Sequence, residues 1–166
     1  MINPLTENYI NLKSLVLSGD FPWFVGKNDF DNFHFLSHAF LTRPESGFRY
    51  PTVSSVYVDL AHNVFMEICD HNNIDVECIF RMGVNMVFPS ANSDLVSSAH
   101  IDHRFDHSNM IIYLTASGKS TIVGEHSYAP VEDGVFVFDG QSHYHELPKT
   151  SPRVVFVATF LKGEYS

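Results

Sequence analysis

The segment Ser98-Ala-His-Ile-Asp-His-Arg-Phe-Asp-His107 concentrates side chains that bind metal ions. In an extended stretch, residues two apart share a face, so His100 and Asp102 project together. A neutral imidazole and a carboxylate are two members of a facial triad, which holds iron(II) and leaves coordination positions open. The third ligand must come from a distant part of the chain. Downstream, His143 and His145 are the candidates, with His126 the remaining imidazole. Alone, His-x-Asp is a weak signal that arises often by chance. His103 and His107, with Asp106, could supply extra ligands but read first as a solvated polar loop at an entrance. His34 and His38, four apart in a Phe-rich stretch, read as packing groups, and Trp23 as core.

Residues this far apart need a rigid frame to meet. Residues 7–18 place Ile10, Leu15 and Val16 near helical spacing before Gly19. Residues 54–70 read more clearly: Tyr57, Leu60, Ala61, Val64, Phe65 and Ile68 recur at three and four, with Ser54 or Ser55 as the cap. After Asn73 the texture becomes short β-branched and aromatic runs. These begin at Cys78, Asn109, Ser120, Gly134 and Arg153, and Gly, Pro, Asp and Ser separate them. The expected architecture is α+β and mainly β, a β-barrel buttressed by amino-terminal helices. One domain is expected over 1–166, with a helical buttress over 1–74 and the barrel core over 75–166.

Composition narrows the classes. The chain has 166 residues, 45% of them hydrophobic and 14% aromatic, enough for one domain with a real core. Its formal net charge of −9, with ten Lys plus Arg, disfavours nucleic acid as a partner. Cys69 and Cys78 form neither a disulfide framework nor a zinc knuckle, and read as two buried thiols. No signal peptide and no apolar run of membrane length is evident. A cytoplasmic protein is expected.

The ordered sequel to His100 and Asp102 sharpens the reading. It runs through Ile111-Ile-Tyr-Leu-Thr, Gly118 and Thr121, Pro130 to Gly134 with Phe138-Asp-Gly140, Tyr144-His-Glu-Leu147, and Arg153-Val-Val-Phe-Val. This order resembles the prolyl-hydroxylase-like branch of the 2-oxoglutarate/iron(II) oxygenases, particularly small members from bacterial viruses. The resemblance spans roughly residues 78–161. It implies a double-stranded β-helix (a jelly-roll, cupin-like barrel), iron(II) and 2-oxoglutarate as cofactor and co-substrate, and oxidation, by default hydroxylation, of a substrate it does not identify. A viral protein acting in the host cytoplasm fits the same pattern.

Residue by residue, the resemblance makes His100 and Asp102 metal ligands. Tyr144-His-Glu-Leu147 looks like the family's distal signature and favours His145 as the third, while the spacing to Arg153 is more ordinary from His143. Both have the same strand parity, and His145 is taken as the ligand with His143 as the alternative. Arg153 would pair with the far carboxylate of 2-oxoglutarate, a role suited to a bidentate guanidinium. Asn85 and, more weakly, Tyr113 are further co-substrate candidates. The substrate, a small molecule or a polypeptide, and the oligomeric state stay open.

Two other classes compete. A zinc hydrolase would use His100-Ile-Asp-His103, but Ser98 stands where that signature needs a histidine. A catalytically silent cupin-like barrel would serve binding or structure, yet has no need to bury such charges.

Overall fold

The computed structural model describes residues 1–26, 35–44, 50–90 and 95–163. Helix α1 spans Glu7–Val16, where the Thr6 side chain accepts a hydrogen bond from the Tyr9 amide. It buries Tyr9, Leu12 and Val16. Helix α2 spans Val58–His71 and turns Ala61, Val64, Phe65, Ile68 and Cys69 inward, the stripe that its spacing announces. Neither expected serine caps it. Tyr57 holds the N-cap position without a side-chain hydrogen bond, and the Ser55 hydroxyl accepts from the Tyr57 amide instead.

Among the described residues the strands, in chain order, are β1 Phe24–Gly26, β2 Phe35–Thr42, β3 Thr52–Val53, β4 Val76–Val87, β5 Ser108–Tyr113, β6 Thr121–Val123, β7 His126–Tyr128, β8 Val135–Asp139, β9 His143–His145 and β10 Arg153–Lys162. The larger sheet runs β1-β2-β4-β10-β5-β8 with β3 on β2, and the smaller runs β7-β6-β9. Every pairing is antiparallel. This is a mainly β jelly roll of the double-stranded β-helix kind, with the amino-terminal helices packed on the larger sheet.

The first 74 residues contribute β1, β2 and β3 as well as helices. Strand β2 escaped the sequence reading because Phe35-Leu-Ser-His-Ala-Phe does not alternate apolar and polar residues, although Pro44 follows it closely. His38 lies on β2, buried, bonded to the Pro22 carbonyl at 2.7 Å and the Ser55 hydroxyl at 2.7 Å. It is a packing histidine, as expected, and His34 lies outside the described residues. Trp23 packs against the main core. Cys69 is buried, its thiol pushed up to about 12 by burial and then by Asp70. Cys78 is exposed, on the solvent side near the start of β4, so the expectation of two buried thiols holds for Cys69 alone.

The larger sheet has two differently furnished faces. Val154, Phe156, Ala158 and Phe160 of β10 join Met110 and Ile112 of β5, and Leu114 just beyond it, in the core beneath the helices. The alternate residues Val155 and Val157, with Ile111, Tyr113, Phe136 and Phe138, face the barrel interior in a second cluster. That inner face carries the site. Among the described residues, no helix is long and apolar enough to cross a membrane.

Candidate metal centre

The segment carrying His100 and Asp102 lies between β4 and β5, outside the regular strands. It is pinned by an isolated bridge in which His100 and His143 exchange both backbone hydrogen bonds at 3.0 Å. Such a reciprocal pair sets two residues directly opposite one another. The two imidazole rings lie 4.5 Å apart, centroid to centroid. One backbone device thus brings together side chains 43 positions apart in the chain.

Each ring is also oriented. His100 Nδ1 meets the Ser98 carbonyl at 3.0 Å, and His143 Nδ1 meets the Gln141 carbonyl at 3.0 Å. Donation from Nδ1 to a carbonyl selects the tautomer whose Nε2 lone pair is available to a metal. Burial lowers the pKa of His143, outweighing the opposing pull of the Gln141 carbonyl and Asp102. The ring is therefore neutral at pH 7, as a ligand must be.

Asp102 supplies the anion. Burial alone would raise its pKa, but Arg81 and Arg43, then His143 and His100, bring the net value below the ordinary one. Its Oδ1 accepts from Arg43 Nη2 and, at 3.3 Å, from Arg81 Nη1. Its Oδ2 lies 3.5 Å from His143 Nε2. Ligand atoms of His100, Asp102 and His143 all fall within 4.8 Å of one another, the one such group among the described residues. Two available imidazole nitrogens and one ionised carboxylate suit a divalent transition metal.

His145, the expected distal ligand, is not in that group. It follows His143 by two residues on β9, shares its parity and lines the same cavity. Its Cα partner, however, is Thr121, whereas that of His143 is Val123. The two-residue step carries His145 toward the Arg153 end. Burial, then Arg153, His100 and His143, hold its imidazole well below the usual range, so it is neutral.

Arg153 opens β10 and is buried. Its Nη2 donates to the Thr121 hydroxyl at 2.9 Å, and its guanidinium lies 5.3 Å from the centroid of the Tyr113 ring. The Tyr113 hydroxyl contacts Thr121 Oγ1 at 2.7 Å and the Tyr128 carbonyl at 3.1 Å, which fixes ring and hydroxyl together. Gly118, at φ +110°, lets the backbone lie against the Arg153 stem, where a Cβ would come within 3.1 Å of it. Among the described residues Arg153 has no carboxylate partner, and its Nε makes no hydrogen bond. A buried cation kept this way fits an anionic ligand, because otherwise its desolvation goes uncompensated.

Both groups open on one cavity of about 650 Å³, in the range of small-molecule sites. Asn85 lines it too, on the same face of β4 as Arg81. Tyr113 does not line it but lies behind Arg153.

The sequence reading passed over three residues. Thr121 sat in a quoted motif without a role. Arg81 was legible in principle, being in phase with Asn85 on a strand already recognised. Arg43 had no signal, since it follows a strand that was not read.

His103 and His107 do lie in a loop, but the expectation that they are solvated is corrected. His107 is buried, and His103 is half-buried, bonded to Thr159 Oγ1 at 2.8 Å and stacked on Phe105. Aromatic neighbours displace the solvent expected there. Burial, then His107, pulls His103 down to about 4.

No family model matches the chain, and no curated protein matches it in sequence. Solved structures do match in fold. An oxidoreductase of the 2OG-Fe(II) oxygenase family from Burkholderia pseudomallei superposes with a TM-score of 0.65 at 14% identity, over 84% of this chain and 71% of that one. The viral collagen prolyl hydroxylase of Paramecium Bursaria Chlorella virus-1, in its 2OG complex, gives 0.51 at 12% identity, over 76% and 78%. A Pseudomonas putida prolyl-4-hydroxylase gives 0.50 at 13% identity, over 84% and 78%. The chain has the fold of the 2-oxoglutarate/iron(II) oxygenases, prolyl-4-hydroxylase-like proteins among them.

Proposed function

We propose that this protein is a 2-oxoglutarate- and O2-dependent oxygenase, with His100, Asp102 and His143 holding iron(II). In this reading the third ligand is His143 and not His145. One observation carries it: a His-Asp-His cluster and a buried guanidinium, with no counter-carboxylate among the described residues, share a single cavity. The first suits a metal with open positions, and the second suits the free end of a dicarboxylate that chelates that metal.

When bound, iron(II) supplies the open positions at which co-substrate and O2 meet, and the redox chemistry that couples loss of CO2 from 2-oxoglutarate to substrate oxidation. The rest is done by the chain. Arg153 binds the far carboxylate, and Thr121 and Tyr113 hold its fork in place. Asn85 and the neutral His145 line the space between metal and guanidinium, where they are placed to donate to the co-substrate. Val155, Val157 and Ile111 give that space apolar walls that exclude water. Hydroxylation is the default outcome.

Anaerobic titration of the protein with iron(II) and 2-oxoglutarate tests the reading. A weak visible charge-transfer band is expected, absent with zinc(II) and absent in His100→Ala. Admission of O2 should release succinate. No band and no succinate from the parent protein would leave a cupin-like binding barrel in place of an enzyme.

A further inference from the structure

Three of the chain's five arginines line this one cavity, in a protein whose formal net charge is −9. Among the described lining residues, Asp102 is the one carboxylate. Such a concentration of guanidinium against the charge of the whole chain calls for an anion.

The arginines form two groups. Arg153 pairs with Val87 in the β4–β10 register, whereas Arg81 pairs with Thr159 near the other end. Six residues of strand separate Arg81 from Val87, roughly 20 Å at ~3.3 Å per residue. The metal cluster lies toward the Arg81 end, because Arg81 and Arg43 both touch Asp102. A five-carbon diacid anchored at Arg153 and chelating at the cluster has neither of its carboxylates left for Arg43 and Arg81. These two therefore stand on the substrate side.

Charge and donors remain to be satisfied there. A divalent ion and three guanidiniums bring five positive charges, against three negative ones from Asp102 and the co-substrate dianion. Arg43 and Arg81 carry about five N–H donors each. Among the described residues their hydrogen bonds all go to Asp102: two from Arg43, to the carbonyl and Oδ1, and one from Arg81, to Oδ1. The Arg43 side chain is 42% exposed, at the solvent end of this group. We propose that Arg43 and Arg81 form an anion-recognition site and that the substrate is a small acid, presenting a carboxylate or phosphate to them while its reacting carbon faces the metal. The proposal rests on the oxygenase reading.

The test uses the full chain loaded with manganese(II) and saturating 2-oxoglutarate, without O2 chemistry. Propionate, methyl phosphate and, as a neutral control, glycerol are titrated calorimetrically. One or both anions should bind and glycerol should not, and the stronger of the two identifies the acid group. With manganese(II) raised to saturate each variant, because Arg43 also bonds the ligand Asp102, Arg43→Gln should weaken that anion at least tenfold and change 2-oxoglutarate affinity far less. Arg153→Gln should do the reverse. Arg43 is half-exposed, so its variant keeps the test valid even where Arg81→Gln fails to fold. Normal loading with no anion binding, or equal binding to Arg43→Gln, overturns this inference alone. Failure of the parent protein to take up manganese(II) and 2-oxoglutarate overturns the oxygenase reading and this inference with it.

Discussion

The two faces of strand β10 obey different physics although every residue from Arg153 to Phe160 is buried. On the outer face Val154, Phe156, Ala158 and Phe160 meet the helices and carry no polar group. The inner face runs Arg153, Val155, Val157, Thr159, keeping a cation at one end and a hydroxyl at the other. Outer residues are chosen for volume and apolarity, and each contributes by removal from water. Thr159 has its partner in His103, whereas Arg153 costs free energy in the ligand-free fold and becomes favourable when an anion arrives. Burial alone therefore does not separate core from site. What separates them is whether a buried polar group has its partner within the chain.

Substitutions on the two faces should accordingly fail in different assays. Phe156→Ala, beneath the helices and stacked 6.2 Å from Phe40, should cost about 3–5 kcal/mol of unfolding free energy. Denaturant melts measure it, and metal affinity of the folded fraction should hold. Arg153→Met should invert that result. Co-substrate binding should lose about 2–5 kcal/mol by calorimetry, with ligand-free stability unchanged or improved. A large loss of stability would make Arg153 an ordinary structural residue and erase the contrast.

The neighbouring histidines of β9 sharpen the contrast within one strand. Loss of an outer-sphere partner typically lowers metal affinity about 10–100-fold. His143→Ala should exceed that range in iron(II) or manganese(II) titrations. His145→Ala should stay within it and weaken 2-oxoglutarate more than metal. The opposite ranking would return the ligand role to His145.

Acid should act on the inner face first. His103 is held neutral down to about 4, while an unfolded histidine protonates near 6.5. Above that value neither state takes up the proton and stability is full. As pH falls from 6.5 toward 4 only the unfolded chain gains it, so stability declines over that window. Chemical melts at pH 7, 5.5 and 4.5 should show the trend, reduced in His103→Gln. The smallest effect lies outside both faces. Lys162 and Asp139 pair at 2.9 Å on the surface, and Lys162→Ala should change stability by less than about 1 kcal/mol.

Legibility in the sequence followed the range of the interactions. Helix α2 was readable because its stripe repeats every three to four residues, and β4, β5, β8 and β10 because apolar runs ended at Gly, Pro or Asp. Strand β2 was not, since its pairing with β4 is a contact between remote segments and its run shows no apolar-polar alternation, even though Pro44 closes it. His100 and Asp102 stood out as neighbours of the right types. Arg43 was invisible, because its relation to Asp102 exists only across 59 positions of chain.

Residue types and local periodicity by themselves determined a mainly β barrel with helices on one side, a His-x-Asp pair, and an arginine at the start of the last strand. Tertiary structure alone decided which late imidazole joins that pair. His143 and His145 share composition, parity and strand, and differ only in what lies opposite. A reciprocal backbone bridge sets His143 across from His100, and register sets His145 across from Thr121. Register is a property of two strands at once, so no single stretch of sequence carries it.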